Sequence, residues 1–346
     1  RGAERTFASM ADIWPSAPIF TSLFDAEEMG PRFDGHDVVT SYLQRLGVSQ
    51  GNFRKLLPLF PRAFSNLEPS DAEVVITSSS AFAHGIHVPD EAMHVCYCHS
   101  PFRYVWHERM RALAEVPSAV RFAFGFELDR LRRWDLAASE NVDVYIANSE
   151  ITKRRIKEYY GRDSVVVHPP VDVSRFNGVA DKPEDFYLFV GEVVAHKRVE
   201  TAIHACRLAG RKLVVVGSGP DQARLQQAYG DTVTFAGRVP DSELNELLAT
   251  CRALIAPNVE EFGIAAVEAQ AAGRPVIGRA IGGTAETVIE GETGVLVRGE
   301  RREDFAAAIR KVESLDLDPL SIVEHAQKFS VYEFQRRMSD VVLKAA

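Results

Sequence analysis

Two glutamates eight positions apart, Glu260 and Glu268, stand in EEFGIAAVEAQAAGRPVIG at residues 260–278. A carboxylate accepts hydrogen bonds from vicinal hydroxyls, so such a pair suits two polyol parts of one ligand, a sugar and a ribose for example. A helix turns about 100° per residue, which would leave the two acids about 80° apart even on one unbroken helix. The sequence instead predicts a strand over ALIAPN (253–258), a loop over VEEFG, and a helix from near Ile264 to a stop at Gly273, with Pro275 beyond. Glu260 then belongs to the loop and Glu268 to the helix. Amides near Phe262, Gly263 and Ile264 would point outward at the helix start, where Gly263 allows ligand oxygens close. By spacing alone, a solvated helix with two incidental acids explains the pattern as well.

A second stretch, VVVGSGPD (214–221), places Gly217 and Gly219 between a strand and a helix. That arrangement suits approach to a phosphate and suits a simple turn equally.

These residues need a frame. The 346 residues are 46% hydrophobic and 25% charged, enough for two globular domains each with its own core. The second half alternates strand-like runs (186–193, 212–219, 233–239, 253–258, 275–279, 294–297) with helical segments at 198–209, 220–229, 241–250 and 264–272. Parallel strands need such crossovers, so an open α/β sheet covered on both faces is expected. The first half repeats the scheme at 72–80, 94–100, 142–149 and 164–170, with helices expected over 102–114 and 118–139. HPPVDVSRF (168–176), with adjacent prolines, marks the crossing between two α/β domains. In open α/β sheets ligands bind beyond the carboxyl ends of the strands.

Composition excludes several classes. The formal net charge is −8 and no long Lys/Arg run occurs, which argues against a nucleic-acid partner. Four cysteines form no CxxC array, and Cys96 and Cys98, two apart in a strand-like run, read as packed residues on one face. A reducing cytoplasm fits them. No stretch reaches the roughly 18 to 20 apolar residues of a membrane-spanning helix, and no signal-peptide pattern opens the sequence.

EEFGIAAVEAQAAGRPVIG resembles the E-x7-E element of retaining glycosyltransferases of family 4, whose two-domain fold is called GT-B. The likeness extends to GGTAETV (282–288), GETGVLV (291–297), GEVVAHKRVETAI (191–203), YCHSPFRYVW (97–106) and ANSEITKRRI (147–156), especially among polysaccharide mannosyltransferase-like members. It implies two Rossmann-like doubly wound domains with the active site in the cleft between them: an acceptor-side domain at 1–170, a nucleotide-sugar domain at 171–325, and a C-terminal helix at 326–346 packing back on the first.

The same resemblance assigns roles. Glu260 would contact the donor sugar's hydroxyls with help from the amides of Phe262, Gly263 and Ile264, and Glu268 would hold the ribose. The base would meet the backbone around Arg238 and Val239. Lys197 would neutralise the diphosphate leaving group, with Arg198 assisting or lying outside and Gly219 near the phosphates. His99 would sit near the transferring sugar, offering a hydrogen bond or shuttling a proton near neutral pH. RGAER matches the end of a glycine-rich loop with Gly2 as its last glycine, which implies a preceding strand and a native start further upstream. One departure is Glu192, where many relatives carry an arginine; a carboxylate cannot clamp a diphosphate.

The implied reaction moves a sugar, mannose by the closest motif likeness, from a GDP- or UDP-sugar to a lipid-linked oligosaccharide with retention of configuration. No cofactor is implied, and no His/Cys cluster is apparent to hold a metal. Competing readings are a noncatalytic nucleotide-sugar-binding partner of another transferase, and a different GT-B enzyme such as an epimerase. NFRKLLPLFPRAF (52–64), with Arg54, Lys55 and Arg62, and RFAFGFELDRLRRW (121–134) mix cations with aromatics. Such surfaces can rest on an anionic membrane, here the inner face of the cytoplasmic membrane. Buried hydrophobes beneath solvated charges explain them equally, and Pro58 and Pro61 exclude one continuous amphipathic helix. The sequence does not set the oligomeric state.

Overall fold

Short runs of Val, Ile and Leu bounded by turn residues become parallel strands here because helices cover both of their faces. The structure is a computed structural model describing residues 2–47, 53–176 and 182–345. Contacts divide the chain into two units, Arg1–His168 with Gln335–Ala346, and Pro169–Phe334.

The first unit holds a two-stranded parallel ribbon, β1 (Ile19–Thr21) with β2 (Val38–Thr40), and a four-stranded parallel sheet in the order β3-β4-β5-β6. These strands are β3 (Val74–Ser79), β4 (Met93–Cys98), β5 (Val144–Ala147) and β6 (Ser164–Val166). The sequence indicates the four-stranded sheet but not the ribbon, whose three-residue strands are too short to show a period. Cys96 and Cys98 are buried free thiols packed with Val142, Tyr145 and Ile156.

The helix expected over 102–114 is confined to Arg109–Ala114, and residues 102–108 fold into turns. Tertiary anchors override the helical pattern there. Phe102 meets the Phe82 ring edge-on at 4.8 Å, and Trp106 Nε1 donates to Asp135 Oδ2 at 2.7 Å. The helix expected over 118–139 is Ser118–Glu140. Its Asp135 is fully buried, accepts also from Tyr160 Oη at 2.8 Å, and faces His84 Nε2 at 3.4 Å. Burial pushes this carboxyl above its usual range, opposed by His84 and the two donors.

The second unit carries one six-stranded parallel sheet in the order β12-β11-β10-β7-β8-β9. Its strands are β7 (Tyr187–Val190), β8 (Leu213–Val216), β9 (Val233–Gly237), β10 (Leu254–Ala256), β11 (Val276–Arg279) and β12 (Gly294–Val297). From β7 the chain builds outward to β9, then returns to the other side of β7 with β10. The order therefore reverses between β7 and β10, the place where doubly wound sheets bind ligands. One face packs Tyr187, Ile203, Phe305 and Ile309; the other packs Leu188, Leu248, Ala266 and Ala269.

The last helix, Val331–Ala345, leaves the second unit, and from Gln335 onward it belongs to the first. There Gln335 Nε2 donates to the Ser9 carbonyl at 3.1 Å. Among the described residues no helix is long and apolar enough to cross a membrane.

His94 gives the first unit a pH dependence. Its Nδ1 lies 3.1 Å from the Asn141 carbonyl and its Nε2 3.0 Å from Thr77 Oγ1, a pairing suited to the neutral ring. Burial lowers its pKa from 6.5 to about 4. As pH falls from 6.5 towards 4 the unfolded chain takes up a proton that the folded unit refuses, so stability is lost, by about 3 kcal/mol in all. All three tryptophans, Trp14, Trp106 and Trp134, lie in this unit. Urea unfolding followed by their fluorescence should weaken between pH 7 and 4.5, and His94→Gln should flatten that slope.

Candidate functional site

The loops after β7 and β10 meet at the reversal of strand order. After β7 the chain makes a short 3-10 turn, Ala195–Lys197, and enters the helix Val199–Ala209. After β10 it forms a loop through Glu260 and enters the helix Ile264–Ala271. Lys197 Nζ donates to Glu260 Oε1 at 2.6 Å. The buried Asn258 donates its Nδ2 to the same oxygen at 2.9 Å, and Oε2 has no hydrogen-bond partner among the described residues.

The elements that fix Glu260 are mostly backbone. Gly263 caps the following helix with φ 88°, a left-handed geometry that glycine adopts at little cost. The amides of Gly263 and Ile264 donate to no acceptor among the described residues, so donors are available at the helix start. Phe262 is buried with its ring edge-on to Phe329 at 5.6 Å. Gly283 N–H donates to the Glu260 carbonyl at 2.8 Å, and a Cβ on Gly283 would lie 1.9 Å from the Phe262 oxygen. The helix closes as expected, with Gly273 at φ 74° and Arg274 N–H reaching back to the Ala269 carbonyl.

Glu268 lies inside that helix, almost fully buried, and Arg175 Nη2 donates to its Oε1 at 2.5 Å. The two acids thus sit in separate elements, each with its own cation.

Other expected residues are engaged within the protein. A Cβ on Gly217 would fall 1.9 Å from the Gly191 oxygen, and one on Gly219 2.3 Å from the Val193 oxygen. The close approach these glycines permit is to the neighbouring loop's backbone. Arg198 is the one non-glycine with positive φ, 56°, among the described residues. Its guanidinium is held by Glu300 through the carboxylate at 3.2 Å and through the carbonyl, and buried Arg279 braces the same carboxylate at 3.0 Å. Arg238 Nε donates to Ser218 Oγ at 2.9 Å, and Val239 packs beside Leu248 and Leu254. Glu192 is exposed, with no ion pair among the described residues.

His99 and Gly2 belong to the first unit. Gly2 opens the helix Gly2–Ala11. His99 follows β4, with Nε2 2.8 Å from Ser78 Oγ. Burial, reinforced by Arg103, lowers its pKa to about 4. At pH 7 the ring is therefore neutral.

Sequence reading missed Asn258, Arg175 and Glu300. Asn258 stands two residues before Glu260, whereas Arg175 is 93 residues from its acid and has no local signal. One D-x-D triplet, Asp316 to Asp318, is also present, but the Asp318 carboxylate caps the helix Pro319–Ala326 through the amides of Leu320 and Ser321.

The two α/β units with parallel sheets define the GT-B fold. The pattern described as Glycosyltransferase Family 4 matches residues 1–175, over half of the chain, and Glycosyl transferases group 1 matches 170–330. The chain belongs to glycosyltransferase family 4. It is 31% identical over 242 residues to the D-inositol 3-phosphate glycosyltransferase of Mycolicibacterium smegmatis, covering 58% of this chain and 54% of that protein. The corresponding enzyme of Streptomyces bingchenggensis is 28% identical over 244 residues, with 59% and 53% covered. The match thus spans about half the length of these curated relatives. Among solved structures, sucrose-phosphate synthase from Thermosynechococcus elongatus has a TM-score of 0.70 at 22% identity, covering 90% of this chain and 83% of that one. Anabaena HepE in complex with UDP-glucose has a TM-score of 0.66 at 16% identity, covering 99% and 96%. At these identities the structures speak for the fold alone.

The glycine clamp is open to test. Gly283→Ala forces a methyl group against the Phe262 carbonyl and should destabilise the second unit by about 1–3 kcal/mol, read by denaturation followed by far-UV circular dichroism. Arg198→Gly should keep stability within about 1 kcal/mol, because relief of the left-handed conformation offsets the lost exposed ion pair.

Proposed function

We propose that the protein is a retaining glycosyltransferase that moves a hexose from a nucleotide sugar to a lipid-linked oligosaccharide, without a metal. The observation that carries this reading is the Lys197–Glu260 pair, 2.6 Å apart where the strand order reverses, beside the unpaired amides of Gly263 and Ile264. Lys197 and those amides would meet the charge that develops on the departing diphosphate. Glu260, its Oε1 held by Lys197 and Asn258, would offer Oε2 to a sugar hydroxyl and so orient the donor. Glu268 would take the ribose, and the backbone near Arg238 and Val239 the base. His99, neutral at pH 7, would hydrogen-bond the transferring sugar. Gly2 would lie near the acceptor or diphosphate, while Gly219 and Arg198 would shape the phosphate side from within the protein.

GDP-mannose is the donor favoured by motif likeness, and UDP-glucose is the sugar nucleotide bound by HepE. The relatives named for D-inositol 3-phosphate make a polyol phosphate the competing acceptor. Exposed Glu192 favours one further reading, a nucleotide-sugar-binding partner without turnover.

A peripheral membrane position is part of the proposal. Phe122 is 90% exposed, Phe126 67% and Met110 76%, with Arg111 and Arg121 exposed beside them in sequence. Apolar rings among arginines suit an anionic lipid surface. In the other stretch Arg62 is exposed, while Asn52 and the side chains of Arg54 and Lys55 lie outside the described residues.

Donor hydrolysis and transfer should be assayed across common UDP- and GDP-sugars. Lys197→Ala and Glu260→Gln should each lower turnover by about 10²–10³-fold. Nucleotide binding with no hydrolysis or transfer from any donor would sink the enzyme reading in favour of the binding partner. In vesicle co-sedimentation at low salt, Phe122→Ser with Phe126→Ser should release the protein from anionic vesicles; indifference of the wild type to such vesicles would remove the membrane from the proposal.

A further inference from the structure

We propose that the cleft between the starts of the helices Val199–Ala209 and Arg302–Ser314 binds a phosphate group, and that the Glu300 carboxylate holds that place in the free protein. The cleft is served by other side chains than the Lys197–Glu260 pair. Lys197 turns to Glu260, whereas its neighbour Arg198 turns to Glu300.

Two guanidinium groups converge on this one carboxylate. Arg198 Nη1 donates to Glu300 Oε2 at 3.2 Å, and Arg279 Nη2 donates to Oε1 at 3.0 Å. Their environments are unequal: the Arg279 side chain is 4% exposed and that of Glu300 65%. Arg279 ends β11, and its Nε is buried without a hydrogen-bond partner among the described residues. A buried cation is thus answered by a surface carboxylate that leaves one of its donors unused. A phosphate monoester carries nearly two negative charges and three accepting oxygens, so it can take Arg279 through both Nε and Nη2 and still meet Arg198. Arg198 also donates to the Glu300 carbonyl, a contact that persists when the carboxylate swings away.

The surroundings suit such a ligand. The cleft has a volume of about 540 Å³ and lies within the second unit, with Arg198, Thr201 and His204 on one wall and Arg301 and Arg302 on the other. Small-molecule sites occupy about 300–1,000 Å³. Both helices start here, so their dipoles favour an anion. The other acids nearby are already engaged. Glu200 accepts from Tyr229 Oη at 2.7 Å and from Arg224 at 3.4 Å, Glu303 from Arg302 at 2.9 Å, and Asp304 from the Arg301 amide at 2.9 Å. Glu300 is therefore the acid that competes for Arg198 and Arg279. Hydrogen bonds from Arg279 and then Arg198 hold its carboxyl below the usual range, so the competitor is charged at pH 7.

A structural brace and an internal stand-in for a ligand predict opposite responses to inorganic phosphate. Calorimetric titration at pH 7 and constant ionic strength separates them, with the full chain carrying Lys197→Ala throughout so that phosphate at Lys197 does not contribute. Adding Glu300→Gln, which removes the competitor, should tighten phosphate binding at least about fivefold, and adding Arg279→Met should weaken it by as much. Glu300→Gln should also lower the Tm by stranding Arg279, and 10 mM phosphate should recover most of that loss where potassium chloride of equal ionic strength does not. If Glu300→Gln does not fold, Arg279→Met, which removes the buried charge itself, carries the test through its weaker binding. Glycerol 3-phosphate separates the sources of the group: affinity near that of inorganic phosphate assigns the cleft to a phosphoryl group on a larger molecule, and preference for inorganic phosphate assigns it to the free ion. Absence of phosphate binding, affinity unmoved by Arg279→Met, or a Glu300→Gln chain that binds phosphate no better than its parent would overturn the site. None of these results bears on Lys197 or Glu260, so the proposed function stands or falls separately.

Discussion

The pairing of β7 with β10, Leu188 opposite Leu254, is the contact on which the chemistry of the second unit depends. Two strands with the whole β8–β9 excursion between them are brought side by side, so the loops that follow them must end close together. Parallel pairing adds a direction: both loops leave from the same edge of the sheet. Lys197 and Glu260 meet for that reason, although they lie 63 residues apart. Clusters on both faces hold the strands in this order, so the position of the ion pair is set by burial of Leu188, Ile255 and Val276.

Charge is organised around that edge in pairs. Lys197 meets Glu260, Arg175 meets Glu268, and Arg198 meets Glu300. The pairs differ in environment. Arg175 and Glu268 are the most buried, whereas Glu300 is largely exposed and its pair is weakened by water. A polyanionic ligand would meet cations already neutralised locally, so its binding must compete with or share these contacts.

Much of this was legible in the sequence. Alternating short strands and helices indicate the second unit well, and Gly263 and Gly273 frame the helix between them because each adopts a positive φ. The E-x7-E spacing likewise separates a loop acid from a helix acid. Other features depend on distant contacts and leave no local mark. The helix expected from residue 102 is displaced by Phe102 and Trp106, whose partners Phe82 and Asp135 lie elsewhere in the chain. The left-handed Arg198 could not be anticipated, since arginine has no preference for that region. Gly217 and Gly219 show the reverse limitation: their spacing resembles a phosphate loop, yet a neighbouring backbone accounts for their lack of side chains.

The loop bearing Glu260 is seated largely through main-chain atoms, the Gly283 amide on the Glu260 carbonyl and the Phe262 carbonyl against Gly283. Neither contact uses the side chain at position 260. Scaffold and reagent are therefore partly separable here: main-chain contacts set the course of the loop, while an exchange at 260 has to keep an acceptor for Lys197 and Asn258. Such a division lets a lineage alter the group that faces its ligand without first rebuilding the support, and makes this position a natural starting point for redesign.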